Sequence, residues 1–358
     1  MRILWFNWRD IKHPDSGGAE VLTHEIMKRF VQRGYEMTLF CPRVQGRPSK
    51  EVIDGVNIVR GDGGKYTIYN RGRSFFKKHK DEYDLIIDEV NPRPFLNPAI
   101  LNGKPALVLF HQLIREEWFY ELPFPLSYFC YFYENRWLLP YRNTPTLTVS
   151  QSSKNDLVEI GFKNVEVLPM GLSTEPLKQV GRKEVVPTIV FIGRLKRHKL
   201  PDHAIRAFQI VKRTIPSAKM WIIGDGYMLN RLKKMNTEDV IFYGHVQNKE
   251  KYDLLSRAHL VLTPSMREGW GLIVTESNAM GTPVVAYNVN GLRDSVIHGK
   301  NGLLVNENTP ESLASSASSI LMDTTALKKL SFNALEYSKQ FNWDKTVDYF
   351  STQIHKIV

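Results

Sequence analysis

Short apolar runs recur along nearly the whole chain, most of them followed by a stretch with helical spacing, and this alternation restricts the fold more than any other feature. Strands are expected near 2–8, 36–41, 84–90, 105–111, 146–150 and 165–169, each brief and rich in aliphatic, β-branched or aromatic residues, as strands buried on both faces are. After the first, Val21, Leu22, Ile26, Phe30 and Val31 repeat at helical spacing, which predicts a helix from Gly18 that Gly34 ends. The polar, Gly- and Pro-containing stretch 171–186 breaks the rhythm and reads as a linker. The rhythm then restarts, with strands near 188–193, 219–223, 240–244, 260–264, 283–287 and 302–305. Helices are expected near 201–214, 247–257, 271–280, 310–322 and 325–340. Val347, Phe350, Ile354 and Ile357 mark one more amphipathic helix in 341–358, expected to pack back on the N-terminal domain. A β-α-β rhythm gives a parallel sheet with helices on both faces. The expectation is therefore an α/β protein with two doubly wound domains, 1–170 and 187–340, facing a central cleft. Its ligand should sit at the carboxyl ends of the strands.

The charge balance narrows the partners. The chain of 358 residues carries a formal net charge of +11. The stretch 182–251 holds 15 basic and 6 acidic residues, and 60–80 holds 7 against 1. The remainder is slightly acidic, so two basic patches suit phosphate-bearing partners better than one long polyanion. Two cysteines, Cys41 and Cys130, exclude a disulfide framework and a multi-cysteine zinc site. No apolar run is long enough to span a membrane as a helix, and the start is too soon charged for a signal peptide, so a cytoplasmic protein is expected.

Four loops carry chemistry. Gly17-Gly18 follows the first strand and opens a helix, where paired glycines and free N–H groups admit an anion closely. Arg194 and Lys199 lie in Phe191-Ile192-Gly193-Arg194-Leu195-Lys196-Arg197-His198-Lys199, after the first strand of the second half. They can converge on one phosphate, the arginine as a fork and the lysine as a point charge. Gly224, in Ile223-Gly224-Asp225-Gly226, ends the next strand and would offer backbone amides. The fourth loop, Ser265-Met266-Arg267-Glu268-Gly269-Trp270-Gly271-Leu272-Ile273-Val274-Thr275-Glu276, is the most informative. Glu268 sits in the strand-end loop, Gly269 and Gly271 leave room for a ligand, and a helix starts near Gly271. Fully helical, the spacing to Glu276 would rise about 12 Å, enough to put a carboxylate on each end of a nucleotide sugar, where each could accept bonds from vicinal hydroxyls.

Gly17-Gly18, Arg194 with Lys199, and Glu268-x7-Glu276, in this order, resemble the retaining glycosyltransferases of family GT4, which have the GT-B fold of two Rossmann-like domains. Gly291-Leu292-Arg293-Asp294, His298-Gly299-Lys300-Asn301-Gly302 and Phe341-Asn342-Trp343-Asp344 also look like that family's late segments. The resemblance covers essentially the whole chain and implies roles. Arg194 and Lys199 would neutralise the donor diphosphate, Glu276 would hold the ribose, and Glu268 would meet sugar hydroxyls near the reacting carbon. Gly17 and Gly18 would close over the diphosphate. Gly224, Gly269, Trp270, Gly271 and Leu272 would line the donor, and Val246 would meet the base through its backbone. His111, at a strand end, matches the family's histidine beside the sugar. Leu200 stands where the family usually has Gly, and Trp270 where Phe is more usual. The resemblance also implies front-face transfer with retention, in which the donor's own phosphate helps deprotonate the acceptor. No Asp-x-Asp occurs in the chain, which agrees with a site needing no metal or other cofactor. The donor is expected to be a UDP- or GDP-linked hexose.

The acceptor side mixes basic and aromatic residues. Lys65, Tyr66, Tyr69, Arg71, Arg73, Lys77 and Lys78 resemble segments by which lipid-modifying members sit on anionic membranes. Trp118, Phe119 and the aromatic run to Tyr133 are too interrupted by proline and charge to span, and suit an interface. A glycan or lipid-linked acceptor and peripheral attachment to the inner face of the membrane are therefore expected, with no nucleic acid partner. Two alternatives stay open at this stage: an epimerase or phosphorylase of the same fold, and a basic nucleic-acid-binding protein.

Overall fold

The computed structural model describes residues 1–63, 67–91, 93–235 and 238–358. The chain divides into two compact units, and the division is not a simple cut. The first holds Met1–Arg115, Tyr128–Gly171 and Asn342–Val358, and the second holds Glu116–Ser127 and Leu172–Phe341. The sequence placed 116–127 with the first half and read 171–186 as a linker. Instead Glu116–Ser127 belongs to the second unit, and so does the stretch from Leu172 onward. That stretch is held by contacts a free linker would not make. Leu177 N–H donates to Ala279 O (2.9 Å), Glu184 pairs with Arg257 (2.5 Å), and Lys183 Nζ donates to Ser256 O, Gly281 O and Thr282 Oγ1 at 3.0, 3.0 and 2.7 Å. Burial pushes Lys183 down to about 7.

In the first unit the described residues form an eight-stranded sheet of order β3-β4-β2-β1-β5-β6-β7-β8. The strands are β1 (Arg2–Phe6), β2 (Glu36–Pro42), β3 (Lys50–Ile53), β4 (Val56–Gly61), β5 (Leu85–Val90), β6 (Ala106–Phe110), β7 (Thr146–Thr148) and β8 (Val165–Val167). All pairs are parallel except β3 with β4, a hairpin absent from the strands expected from the sequence. β3 is an edge strand of mixed exposure, and the turn Asp54-Gly55 has positive φ at both residues (49° and 82°). Helix Gly18–Gln32 covers one face, and helix Trp343–Ile354 lies against it, with Phe350 stacked on Trp5 at 5.5 Å. A Cβ on Gly171 would come within 2.0 Å of the Trp343 indole, so only glycine lets the indole lie on that backbone.

The second unit holds a six-stranded parallel sheet among the described residues, of order β11-β10-β9-β12-β13-β14. Its strands are β9 (Thr188–Ile192), β10 (Lys219–Ile223), β11 (Val240–Gly244), β12 (Leu260–Thr263), β13 (Val284–Ala286) and β14 (Gly302–Leu304). Helices Pro201–Thr214 and Pro310–Met322 cover one face, with Ala204, Phe208, Val211, Leu313 and Ala317 wholly or almost wholly buried. β9, β10 and β12 contribute almost only buried apolar residues, as strands between two helical layers must.

Candidate functional site

In the second unit the predicted residues gather at the carboxyl ends of four neighbouring strands, β11, β10, β9 and β12. Arg194 follows β9 and is partly exposed, and among the described residues its guanidinium has no hydrogen-bond or ion-pair partner. Lys199 closes the same loop, and its Nζ lies 2.5 Å from Glu268 Oε1. Ser265 Oγ donates to the same oxygen at 2.7 Å. Burial would raise the Glu268 carboxyl, but the Lys199 ammonium, its hydrogen bond and that of Ser265 outweigh it, so Glu268 is held below the ordinary carboxylate range. The loop is fixed from behind, because Glu268 N–H donates to Asn290 O (3.0 Å) and a Cβ on Gly291 would stand 2.0 Å from Glu268 O. That contact is why the late Gly291-Leu292 segment matters to a residue more than twenty positions earlier.

Leu200, which follows Lys199, is left-handed (φ 50°, ψ 48°), the conformation for which glycine is the usual choice. Its side chain is 6% exposed and packs in the core, so apolar burial holds a leucine in a strained backbone.

Gly269 and Trp270 lead into Gly271, the N-cap of helix Leu272–Ala279, whose first N–H groups face away from the helix body. The Trp270 ring meets Phe341 edge-on at 5.8 Å, and its buried Nε1 has no partner among the described residues. Glu268 lies outside this helix, so the fully helical rise to Glu276 does not apply. Glu276 accepts from Lys251 Nζ (2.8 Å) and Tyr252 OH (3.1 Å). The Gly224 N–H donates to Gly244 O (2.7 Å), so that amide is committed within the protein rather than offered to a ligand. Val246 follows β11 and is partly exposed.

The segment 116–127 also reaches the Arg194–Lys199 loop. His198 Nδ1 lies 2.7 Å from Glu121 Oε1, and Tyr227 OH donates to the same oxygen at 3.0 Å. Tyr227 OH in turn accepts the Arg197 N–H at 2.8 Å. Burial lowers His198, with Glu121 opposing. Glu121 is held at about 2: burial opposes this, but the bonds from His198 and Tyr227 prevail. Trp118 is buried in this segment at 9% exposure and cannot serve a membrane surface, whereas Phe119 is 39% exposed.

In the first unit, Gly17 and Gly18 follow β1 and His111 follows β6, both at carboxyl ends. Gly17 N–H donates to Glu20 Oε2 (2.6 Å), which leaves the next amides of the helix to any anion. Burial raises the Glu20 carboxyl, with Arg9 opposing. His111 Nε2 is 2.7 Å from Oε1 of Glu89, a residue the sequence reading did not single out. Arg71, Lys77 and Lys78 are exposed on helix Ile68–His79, while Arg73 Nε donates to Phe95 O at 3.1 Å. Lys65 and Tyr66 lie outside the described residues. Tyr69 is buried, with Arg93 stacked 4.0 Å over its ring. Among the described residues no cluster of three or more His, Cys, Asp or Glu side chains could hold a metal ion, and no helix is long and apolar enough to cross a membrane.

Two family models match this chain. "Glycosyl transferases group 1" matches 173–337 and "Glycosyltransferase Family 4" matches 16–176, the two units' main spans in turn. The chain belongs to glycosyltransferase family 4. This family-4 glycosyltransferase is 28% identical over 381 residues to the D-inositol 3-phosphate glycosyltransferase of Nocardiopsis dassonvillei, covering 93% of this chain and 88% of that one. Its structure resembles the sucrose-phosphate synthase of Thermosynechococcus elongatus with a TM-score of 0.79, at 18% identity and with 99% and 98% of the two chains covered. It also resembles HepE of Anabaena, solved with UDP-glucose, with a TM-score of 0.73, at 17% identity and with 99% and 100% covered. The fold is GT-B. The enzyme is a glycosyltransferase, which sets aside the epimerase and nucleic-acid readings.

Proposed function

We propose that this enzyme moves a hexose-type sugar from a nucleoside-diphosphate sugar to an acceptor hydroxyl, with retention and without a metal. The observation that carries the reading is the Lys199–Glu268 pair with Arg194, which shares the Lys199 loop and whose guanidinium has no partner among the described residues, at the carboxyl edge shared by β9 and β12. A cation set that neutralises a departing diphosphate lies next to a carboxylate able to accept sugar hydroxyls. As the bond to the sugar breaks, the diphosphate gains negative charge and the sugar becomes oxocarbenium-like. Arg194, Lys199 and the amides at the start of helix Leu272–Ala279 would meet the first charge, and ionised Glu268 would meet the second. Glu276, already oriented by Lys251 and Tyr252, would accept from the ribose hydroxyls. HepE's complex with UDP-glucose supports a UDP-linked hexose as the first donor to try, with GDP-linked sugars second.

A donor panel tests this. UDP-, GDP- and ADP-sugars are added with EDTA, and thermal unfolding is followed for the wild type and Arg194→Ala. A ligand that binds only the native state raises stability by mass action. One nucleotide class should stabilise the wild type without metal, and Arg194→Ala should lose that shift. No shift from any nucleotide sugar would overturn the reading. The anomeric configuration of the product, read by NMR, decides retention.

A second reading concerns the acceptor. Helix Leu126–Leu138 exposes Tyr128 (51%), Phe129 (50%), Phe132 (67%) and Tyr133 (40%), an aromatic face of the kind that settles at a lipid interface. With the exposed Arg71, Lys77 and Lys78, this supports peripheral attachment to an anionic, inner-face membrane and a lipid-linked acceptor. Sedimentation with anionic vesicles at low salt checks it, and a protein left wholly in the supernatant rejects it.

A further inference from the structure

The buried carboxylate of Glu89 stands apart from the other acids of the first unit. Its residue is 0% exposed, near the end of β5, and neither of its oxygens is idle. Oε2 accepts from Trp5 Nε1 (2.7 Å) and Thr23 Oγ1 (2.6 Å), and Oε1 faces His111 Nε2 at 2.7 Å. Trp5 is 0% and Thr23 1% exposed, so those two donors serve the interior alone. The His111 side chain is the only one of the three partners that reaches solvent, at 16% exposure. Its backbone is fixed too, because Ser153 Oγ donates to His111 O at 2.9 Å.

A carboxylate removed from water is costly unless its lone pairs are filled. Here β1 and helix Gly18–Gln32 fill one oxygen, and the other is left for the imidazole. An acceptor on Nε2 fixes the neutral ring as the Nε2–H tautomer, which puts the lone pair on Nδ1. Among the described residues Nδ1 has no partner. β1, β5 and β6 are neighbours in the sheet, with Trp5 opposite Ile87 and Glu89 opposite Leu109, so Trp5, Glu89 and His111 step diagonally, two positions at a time, toward the carboxyl edge where ligands bind in such sheets.

We propose that Glu89 is a positioning residue for sugar transfer. It locks His111 as the Nε2–H tautomer, with Nδ1 turned out as an acceptor for a substrate hydroxyl, while Trp5 and Thr23 keep the carboxylate aimed. This rests on the transferase reading above, and the experiment keeps the two separable.

The full chain is labelled with ¹⁵N-histidine, and the His111 ring is assigned by loss of its signals in His111→Asn. The wild type should show a single Nε2–H tautomer with no substrate present, and the near-isosteric Glu89→Gln should show both tautomers. In parallel, kcat and KM are measured for Glu89→Gln in the wild-type and His111→Ala backgrounds. The expected result is a fall in kcat of about 10- to 100-fold in the first and none in the second, with donor KM little changed. Equal losses in both backgrounds would make Glu89 an ordinary core group and overturn the proposal. Both tautomers in the wild type would overturn it as well. If no nucleotide sugar is turned over, the transferase reading fails while the ring signals still decide the Glu89–His111 pairing. Should Glu89→Gln fold poorly, Thr23→Val removes one of the two buried donors and should broaden the same tautomer signals.

Discussion

The Lys199 ammonium and the Glu268 carboxylate, from loops 69 residues apart in the chain, are bonded to each other at 2.5 Å. The ammonium and its hydrogen bond, with that of Ser265, hold Glu268 below the ordinary carboxylate range despite its burial. In the role proposed above, a donor would meet two charges already fixed in place, the condition under which fixed charges stabilise a transition state most.

Lys199→Ala should lower kcat by about 10²- to 10³-fold, the range seen when one fixed donor to a developing charge is lost. Glu268→Gln keeps the shape and the bond from Ser265 but loses the charge, so it should cut kcat while leaving the melting temperature within a few degrees. Steady-state kinetics with the donor from the panel, beside thermal unfolding, checks both. A Lys199→Ala enzyme with near-normal kcat would remove the lysine from the chemistry.

Lys251 and Tyr252 hold the Glu276 carboxylate that is proposed to accept from the ribose. Lys251→Met should raise the donor KM by about 3- to 10-fold at unchanged kcat, because binding shared equally by ground and transition states appears in KM. A fall in kcat with constant KM would contradict the ribose role.

Leu200 sets two effects against each other. Glycine would relieve about 1–2 kcal/mol of left-handed strain, but truncating a buried leucine costs about 2–5 kcal/mol. Leu200→Gly should therefore lower stability by about 0–4 kcal/mol, measured by urea unfolding, although glycine is what the family usually carries there. A stabilised variant would mean that the strain outweighs the packing.

Lys183 makes stability depend on pH in an unusual window. Its folded value is lowered to about 7 from an ordinary 10.5. Between those values the unfolded chain holds a proton that the folded chain has released, so this residue makes stability rise as pH climbs from about 7 towards 10.5. Denaturant unfolding at the two ends of that window, on wild type and Lys183→Met, should show a smaller rise in the variant. Identical slopes would show that Lys183 titrates as if exposed.

The twelve expected strands were legible because parallel strands between helical layers are almost purely apolar. The hairpin β3–β4 was not found, although Asp54-Gly55 is a strong short-range turn signal, because one of its strands lies on the sheet edge with mixed exposure. Helix Leu126–Leu138 was hidden because its buried stripe, Ser127, Cys130, Glu134 and Leu138, is mostly polar or small while its aromatic residues Tyr128, Phe129, Phe132 and Tyr133 are exposed, the reverse of the usual apolar pattern. The membership of Glu116–Ser127 in the second unit turns on contacts such as Glu121 with His198, 77 residues apart. Glu89 was invisible for the same reason, since its partners lie 84, 66 and 22 residues away. The strand-end loops proposed to hold the donor were readable because each is a short local motif.

Helix Trp343–Ile354 has a consequence for how the protein is made. During translation, residues 342–358 leave the ribosome after every residue of the second unit, yet they complete the first. Until then Trp5 lacks Phe350 and the backbone at Gly171 lacks the Trp343 indole that covers it. The second unit, whose pieces Glu116–Ser127 and Leu172–Phe341 have all emerged by then, is free to close beforehand. The unit begun first is thus finished last, and the nascent chain carries an open apolar seam along its N-terminal half until synthesis has passed the second unit entirely.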